Sequence, residues 1–183
     1  MNLRILYLAV CGLILGAVIH ICIIFLIPLL GEKDVARLVV NKSAANTFVQ
    51  IREDSEIGLI NGDPFFRLAT CKFDLTKSGV EVVGDETSLF WSASVFNARG
   101  RVLYSLNQRT AVGNKLRMIV VNPIQMASIR QIQPEELETS IVVETSEQVG
   151  FVIVRALERD SSWEPTVDQF LQGLQCMPYT GQS

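Results

Sequence analysis

Histidine is nearly absent from this chain. Among its 183 residues there is one, His20, and it sits inside a long apolar run. Everything after that run therefore lacks the usual catalytic base. A Ser-His-Asp triad, a Cys-His pair and a histidine metal site are excluded there. Cysteine is scarce as well, with four residues and no C-x-x-C, so neither a zinc ribbon nor a dithiol redox motif is indicated. There is no G-x-S-x-G, no S-x-x-K, no P-loop and no EF-hand spacing. The sequence calls for no cofactor and no metal. What remains for catalysis is isolated carboxylates, Asp63, Asp74 and Asp85, which no spacing places in one pocket. Internal repeats, low-complexity tracts and an interdomain linker are also missing.

What is present begins with hydrophobicity. Residues Ile5–Leu30 hold 22 apolar residues out of 26 and no Asp, Glu, Lys or Arg. As a helix this run spans roughly 39 Å, more than the ~30 Å of a bilayer's hydrocarbon core. It is longer than a signal-peptide core and has no small-x-small cleavage site after it. The reading is an uncleaved transmembrane signal anchor over 1–31, a juxtamembrane stalk over 32–45 and one α+β domain over 46–183. Positive charge flanks the anchor on both sides, with Arg4 before it and Lys33, Arg37 and Lys42 after it. The short N-terminus favours a cytoplasmic start and a translocated C-terminal domain. Ala9, Gly12, Gly16 and His20 recur at helical spacing, a candidate face for close helix packing in the membrane.

The domain reads mainly as strands. Asp63-Pro64 looks like a helix start, with Phe65, Phe66, Leu68 and Ala69 in a short amphipathic turn. Residues 71–75 and 80–83 flank Lys77-Ser78-Gly79 as a hairpin. Residues 88–96 and 101–106 flank Asn97-Ala98-Arg99-Gly100, a four-residue turn with glycine where positive φ is needed. In the first of these strands Leu89, Trp91, Ala93 and Val95 share one face. Residues 115–122 form another strand, and Asn122-Pro123 opens a short helix. Strands 141–145 and 149–157 pair across Ser146-Glu147-Gln148, and the second, mostly apolar on both faces, is central. A helix over about 162–175 begins with a Ser161-x-x-Glu164 capping box and buries Trp163, Val167, Phe170, Leu171 and Leu174. Residues 177–183 read as a frayed end. The fold class is α+β: an N-terminal transmembrane helix, then a mainly antiparallel, sandwich-like β domain with short helices and a C-terminal helix.

Charge is unevenly placed. From Thr87 to Pro134 there is no acidic residue but six basic ones, whereas Glu135–Asp168 holds nine acidic residues against Arg155 and Arg159. Arg99, Arg101, Arg109 and Arg117 are the candidate contacts for an anion or a partner. The competing reading is ordinary surface charge paired across neighbouring strands. Interleaved loop aromatics are lacking, so nucleic acid is set aside as a partner. Cys11 and Cys22 lie in the anchor as small hydrophobes. Cys71 and Cys176 lie in the domain and fit either one disulfide or two buried thiols.

Several phrases together resemble a known family. They are Asp63-Pro64-Phe65-Phe66-Arg67, Ala69-Thr70-Cys71-Lys72-Phe73-Asp74-Leu75, Phe90-Trp91-Ser92-Ala93-Ser94-Val95-Phe96, Gly100-Arg101-Val102-Leu103-Tyr104-Ser105-Leu106-Asn107, Asn122-Pro123-x-Gln125-Met126 and Ser162-Trp163-Glu164-Pro165. With the anchor, their order is similar to the short membrane-anchored members of the uncharacterised domain-of-unknown-function family 1254, over nearly the whole chain. The resemblance implies an envelope protein of Gram-negative bacteria with a mainly β periplasmic domain, lying beside an anchored protein of companion family 1214. It carries over no catalytic residue. It also implies the pairing of Cys71 with Cys176.

The expectation is a non-enzymatic, single-pass inner-membrane protein, N-terminus cytoplasmic and domain periplasmic. It would be an accessory or assembly subunit that contacts a second anchored envelope protein or a copy of itself. The alternative is a binding module for an anionic lipid headgroup or glycan. An enzyme using carboxylates alone is a third class.

Overall fold

The computed structural model describes residues 3–42, 45–51, 63, 65–132 and 135–179, with backbone alone for 28–42, 135 and 136. The expected loop over 53–62, Pro64 and the tail from 180 lie outside the described residues. The chain divides into two units, residues 1–34 and 35–183. The first is part of helix α1 (Leu3–Lys42), whose segment Leu3–Ile27 is long and apolar enough to cross a membrane and is not buried anywhere along that length.

The second unit is two sheets face to face. One holds β1 (Phe48–Ile51), β2 (Phe66–Asp74), β8 (Val149–Leu157), β4 (Trp91–Asn97) and β5 (Val102–Asn107), in the order β1-β2-β8-β4-β5. The other holds β7 (Ile141–Glu144), β6 (Leu116–Val121), β3 (Gly79–Gly84) and β9 (Gln175–Tyr179), in that order. All described pairings between these strands are antiparallel except β6 with β7. This is the expected α+β class.

Alternation along each strand explains the layers. Trp91, Ala93 and Val95 of β4 face inward as expected, against Leu116, Met118 and Val120 of β6. Helix α3 (Glu164–Gly173) adds Val167, Phe170 and Leu171 to the same core, with Leu174 just beyond it. Phe170 lies 6.4 Å from Trp91, ring centre to ring centre. A second apolar layer, Leu68, Phe151 and Ile153, occupies the other face of the first sheet, where Phe96 stacks on Phe151 at 5.1 Å. Helix α2 (Pro123–Ile132) covers the other face of the second sheet through Ile129 and Met126. β8 has neighbours on both sides and apolar residues on both faces, as its composition predicts.

Five local expectations are corrected. Phe66, Leu68 and Ala69 are in a strand, not a helix; Asp63 caps a turn by accepting from the Phe65 N–H, and pairing with β8 outweighs the helix-start signal. β2 and β3 are not a hairpin but belong to different sheets. Between them Leu75 is fully buried, and its carbonyl accepts from Asn122 Nδ2 at 3.1 Å and Gln125 Nε2 at 2.9 Å. β7 and β8 likewise separate, β7 joining β6 in parallel. The last helix ends at Gly173, and residues 175–179 form β9 against β3 instead of fraying. Its approach is capped by Asp160, which accepts from the Ser162 N–H, where Ser161 was expected.

Candidate interaction site

Cys71 of β2 and Cys176 of β9 form a disulfide that joins the two sheets, their Cα atoms 6.5 Å apart. Cys71 is fully buried, and Cys176 lies beside a surface groove of about 510 Å³ between β1 and the end of α3. Amides dominate the polar lining of that groove, from Asn46, Gln50, Gln172 and Gln175, and Gln50 reaches Asp168 of α3 at 3.4 Å.

The four singled-out arginines do not share one site. Arg99 and Arg101 lie in the β4–β5 turn, and both reach the same oxygen of Glu147, at 3.4 and 3.7 Å. Asn97 builds this turn. It is buried, accepts from the Arg99 and Arg101 N–H groups at 3.0 Å each, and donates through Nδ2 to Glu147 at 3.1 Å. Gly100 supplies the positive φ of 84° that closes the turn, as its place in the sequence predicts. The Asn97 hydrogen bond, and after it the charges of Arg99 and Arg101, hold the Glu147 carboxyl below the usual glutamate range despite a desolvation cost. Arg99 and Arg101 still expose 76% and 70% of their side chains, so the turn presents net positive charge.

Arg109 is exposed at the other end of β5, in the 3-10 turn Gln108–Thr110. Asn107 caps this turn by accepting from the Arg109 N–H at 3.0 Å, and the Thr110 hydroxyl accepts from the Asn107 N–H at 3.2 Å. Arg117 lies elsewhere, on β6 of the second sheet, where its Nε donates to Glu81 of β3 at 3.0 Å. Arg130 of α2 reaches Glu144 of β7 at 3.4 Å. The basic and acidic halves of the sequence are thus partly interleaved in space: Glu144 and Glu147 answer arginines from the acid-free stretch.

Asp63 and Asp74 serve turns, whereas Asp85 directly follows β3. Asp74 accepts from both the backbone and the hydroxyl of Thr76, which lowers its pKa through those hydrogen bonds. No group of three potential metal-ligating side chains occurs among the described residues. In α1, Ala9, Gly12, Gly16 and His20 are all exposed, and the space around both glycines is open.

Sequence reasoning overlooked Asn97 as the hub of its turn. The Asn-x-x-Gly spacing was the available signal, since an asparagine side chain readily caps backbone N–H groups two residues on. It also overlooked β5 as an outer strand, a property of sheet order that no local pattern encodes.

The fold and these turns define an anchor-type helix followed by a disulfide-linked, two-sheet α+β domain. No family model matches the chain, and no curated protein matches it. Among solved structures it is similar to the VPA0106 protein from Vibrio parahaemolyticus, with a TM-score of 0.57 and 11% identity, over 81% of this chain and 35% of that one. A second similar structure is an uncharacterised protein from Burkholderia cenocepacia, with a TM-score of 0.49 and 13% identity, over 84% of this chain and 41% of that one. The chain therefore spans well under half the length of these structures, and the first likeness is one of fold.

Proposed function

We propose that this chain is a single-pass inner-membrane protein of a bacterial envelope, its N-terminus cytoplasmic. Its periplasmic domain acts through protein contacts, as an accessory or assembly subunit of a membrane complex. The carrying observation is the combination of a wholly exposed apolar helix over Leu3–Ile27 with a disulfide that closes the following domain. Exposed apolar helices of that length belong in lipid, and structural disulfides persist on the oxidising side of a membrane. The resemblance to family 1254 supports a second anchored protein, of companion family 1214, as the partner. The open space around Gly12 and Gly16 suits close helix approach within the bilayer.

The test has two arms. Protease added to spheroplasts is expected to digest the domain, and thiol alkylation of it is expected only after reduction. Affinity purification of the full chain from solubilised membranes is expected to recover one anchored partner reproducibly. Protection of the domain from external protease overturns the orientation; a monomer with no reproducible companion overturns the assembly role.

An anion-binding module is the second reading, favoured by the exposed Arg99 and Arg101 guanidinium groups held by one turn. Vesicles carrying an acidic lipid test it. Alanine at both positions should then reduce binding several-fold with the fold intact; equal binding by the variant and the native domain removes the reading.

A further inference from the structure

The two sheets have four outer strands, and they differ in how open they are. β1 and β7 are four residues long, and β7 ends in Glu144. β9 carries Pro178, which has no N–H to offer a further strand. Short length, charge and proline are the usual protections of a sheet edge. β5 has none of these three, only a bulge near its start. It is six residues, Val102-Leu103-Tyr104-Ser105-Leu106-Asn107, with neither charge nor proline, and among the described residues it pairs only with β4. Val102 is 53% exposed and Tyr104 39%. Opposite the Val95–Phe96 step Leu103 of β5 has no partner, a bulge that sets Val102 and Tyr104 on opposite faces and leaves Tyr104–Asn107 in regular register.

The ends of this edge are cationic. Arg99 and Arg101 precede it, sharing one carboxylate between two guanidinium groups, and Arg109 follows it. That arrangement discriminates between occupants. A second copy adding its own β5 antiparallel would place each Arg99–Arg101 turn beside the other copy's Arg109, like charge against like at both ends. A segment with carboxylates at its ends meets the opposite charge at both.

We propose that the β5 edge is a strand-addition site. It takes an extended segment of a partner protein with alternating apolar residues and acidic residues at both ends. Main-chain hydrogen bonds supply the affinity, Val102 the apolar contact on the face it shares with Phe96, and Arg101 and Arg109 the selectivity. This rests on the interaction role proposed above and assigns it a surface and a partner chemistry.

The probes are three synthetic peptides with a common Val-Thr-Val-Thr-Ile core: one flanked by aspartates, one by lysines, and one aspartate-flanked with proline replacing the central valine. Binding is measured by fluorescence anisotropy to the full chain in detergent micelles at low and high salt. The aspartate-flanked peptide is expected to bind about tenfold more tightly than the lysine-flanked one, with the difference shrinking at high salt, and the proline peptide is expected not to bind. Val102→Lys, an exposed position, should weaken the aspartate peptide about tenfold with unchanged thermal unfolding. Arg101→Glu with Arg109→Glu should reverse the preference toward the lysine peptide. Equal affinities, no binding, or no reversal overturns the proposal. So does a photocrosslinker at Tyr104 that joins two copies of this chain.

Purification of the Val102→Lys chain separates the two readings. A membrane partner retained by this variant leaves the assembly role standing and removes β5 as its surface. A partner absent even from the native chain removes the assembly role itself.

Discussion

Cys71 and Cys176 are 105 positions apart in sequence and bonded across the two sheets, tying β2 of one to β9 of the other. β9 is an outer strand of its sheet, paired along five residues with β3. The bond thus secures the strand that follows α3 and keeps Phe170 and Leu171 against the core. Closing a loop of this length constrains the unfolded chain by up to about 4–5 kcal/mol in the entropy model. Reduction, or Cys176→Ala, is expected to lower the denaturant midpoint strongly. Urea unfolding with and without reductant checks it, and a superimposable pair of curves would show that the crosslink contributes nothing.

Asn97 and Glu147 give a pH-dependent test. Asn97→Ala removes one donor and one doubly used acceptor from the β4–β5 turn, at a cost of about 1–3 kcal/mol. The Glu147 pKa is lowered in the folded domain, first by the Asn97 hydrogen bond and then by the arginines. A depressed carboxyl stabilises the fold above its unfolded pKa, and that contribution is lost as pH falls through the folded value, from about pH 5 downward. Asp74 and Asp160 titrate in the same direction, so the informative quantity is the difference between variant and native domain. Glu147→Gln is expected to flatten the acid limb of the stability profile. Identical slopes for the two proteins would rule out this carboxylate's part.

The sequence reveals the faces of this fold far better than its order of strands. Alternation in Trp91–Asn97 and near-continuous apolarity in Val149–Leu157, broken only by Arg155, report burial directly, because each side chain's surroundings follow from a period of two. The Asn97–Gly100 turn is legible because its chemistry is local. The β2–β3 and β7–β8 connections look equally local, yet both cross between sheets. Their fate is decided by partners remote in sequence: Asn122 and Gln125 on the Leu75 carbonyl, and Val121 accepting from the Thr145 N–H. Of the four arginines read as a group, Arg99, Arg101 and Arg109 bracket one strand, whereas Arg117 belongs to the second sheet beside Glu81. Linear charge density could not separate them.

The Leu75 corner supplies the third prediction. Gln125 both donates to the Leu75 carbonyl and, through Oε1, accepts from the Asn122 N–H at 3.0 Å. Asn122 in turn accepts from the Gln125 N–H at 2.8 Å, so the helix cap and the sheet crossing share one pair of side chains. Gln125→Ala is expected to destabilise by about 1–2 kcal/mol, and Asn122→Ala by a similar amount. Combining them should cost less than the sum, because each single change already loosens the cap. Strict additivity in a double-mutant cycle would show that the two residues act separately.

The sharpest packing test is Gly150, where β8 passes between β2 and β4. A Cβ added there would run into the Phe96 carbonyl oxygen and stand 2.5 Å from Phe73 Cζ. Phe73 is fully buried and the carbonyl is main chain, so neither contact can be relieved by a flexible side-chain end. Overpacking of this kind costs about 1–3 kcal/mol, and two rigid neighbours put Gly150→Ala at the upper end. Phe73→Leu alone also destabilises, by opening a gap in the core. Introduced beside Gly150→Ala, however, it removes one of the two obstructions, so the pair should lose less than the sum of the single changes. The Phe96 carbonyl remains, and the double variant should therefore stay below the Phe73→Leu protein in stability. Urea midpoints of the four proteins, followed by tryptophan fluorescence, give the cycle. A Gly150→Ala midpoint equal to the native one would mean that β8 can shift away from β4, and the close crossing would not be a fixed feature of the sheet.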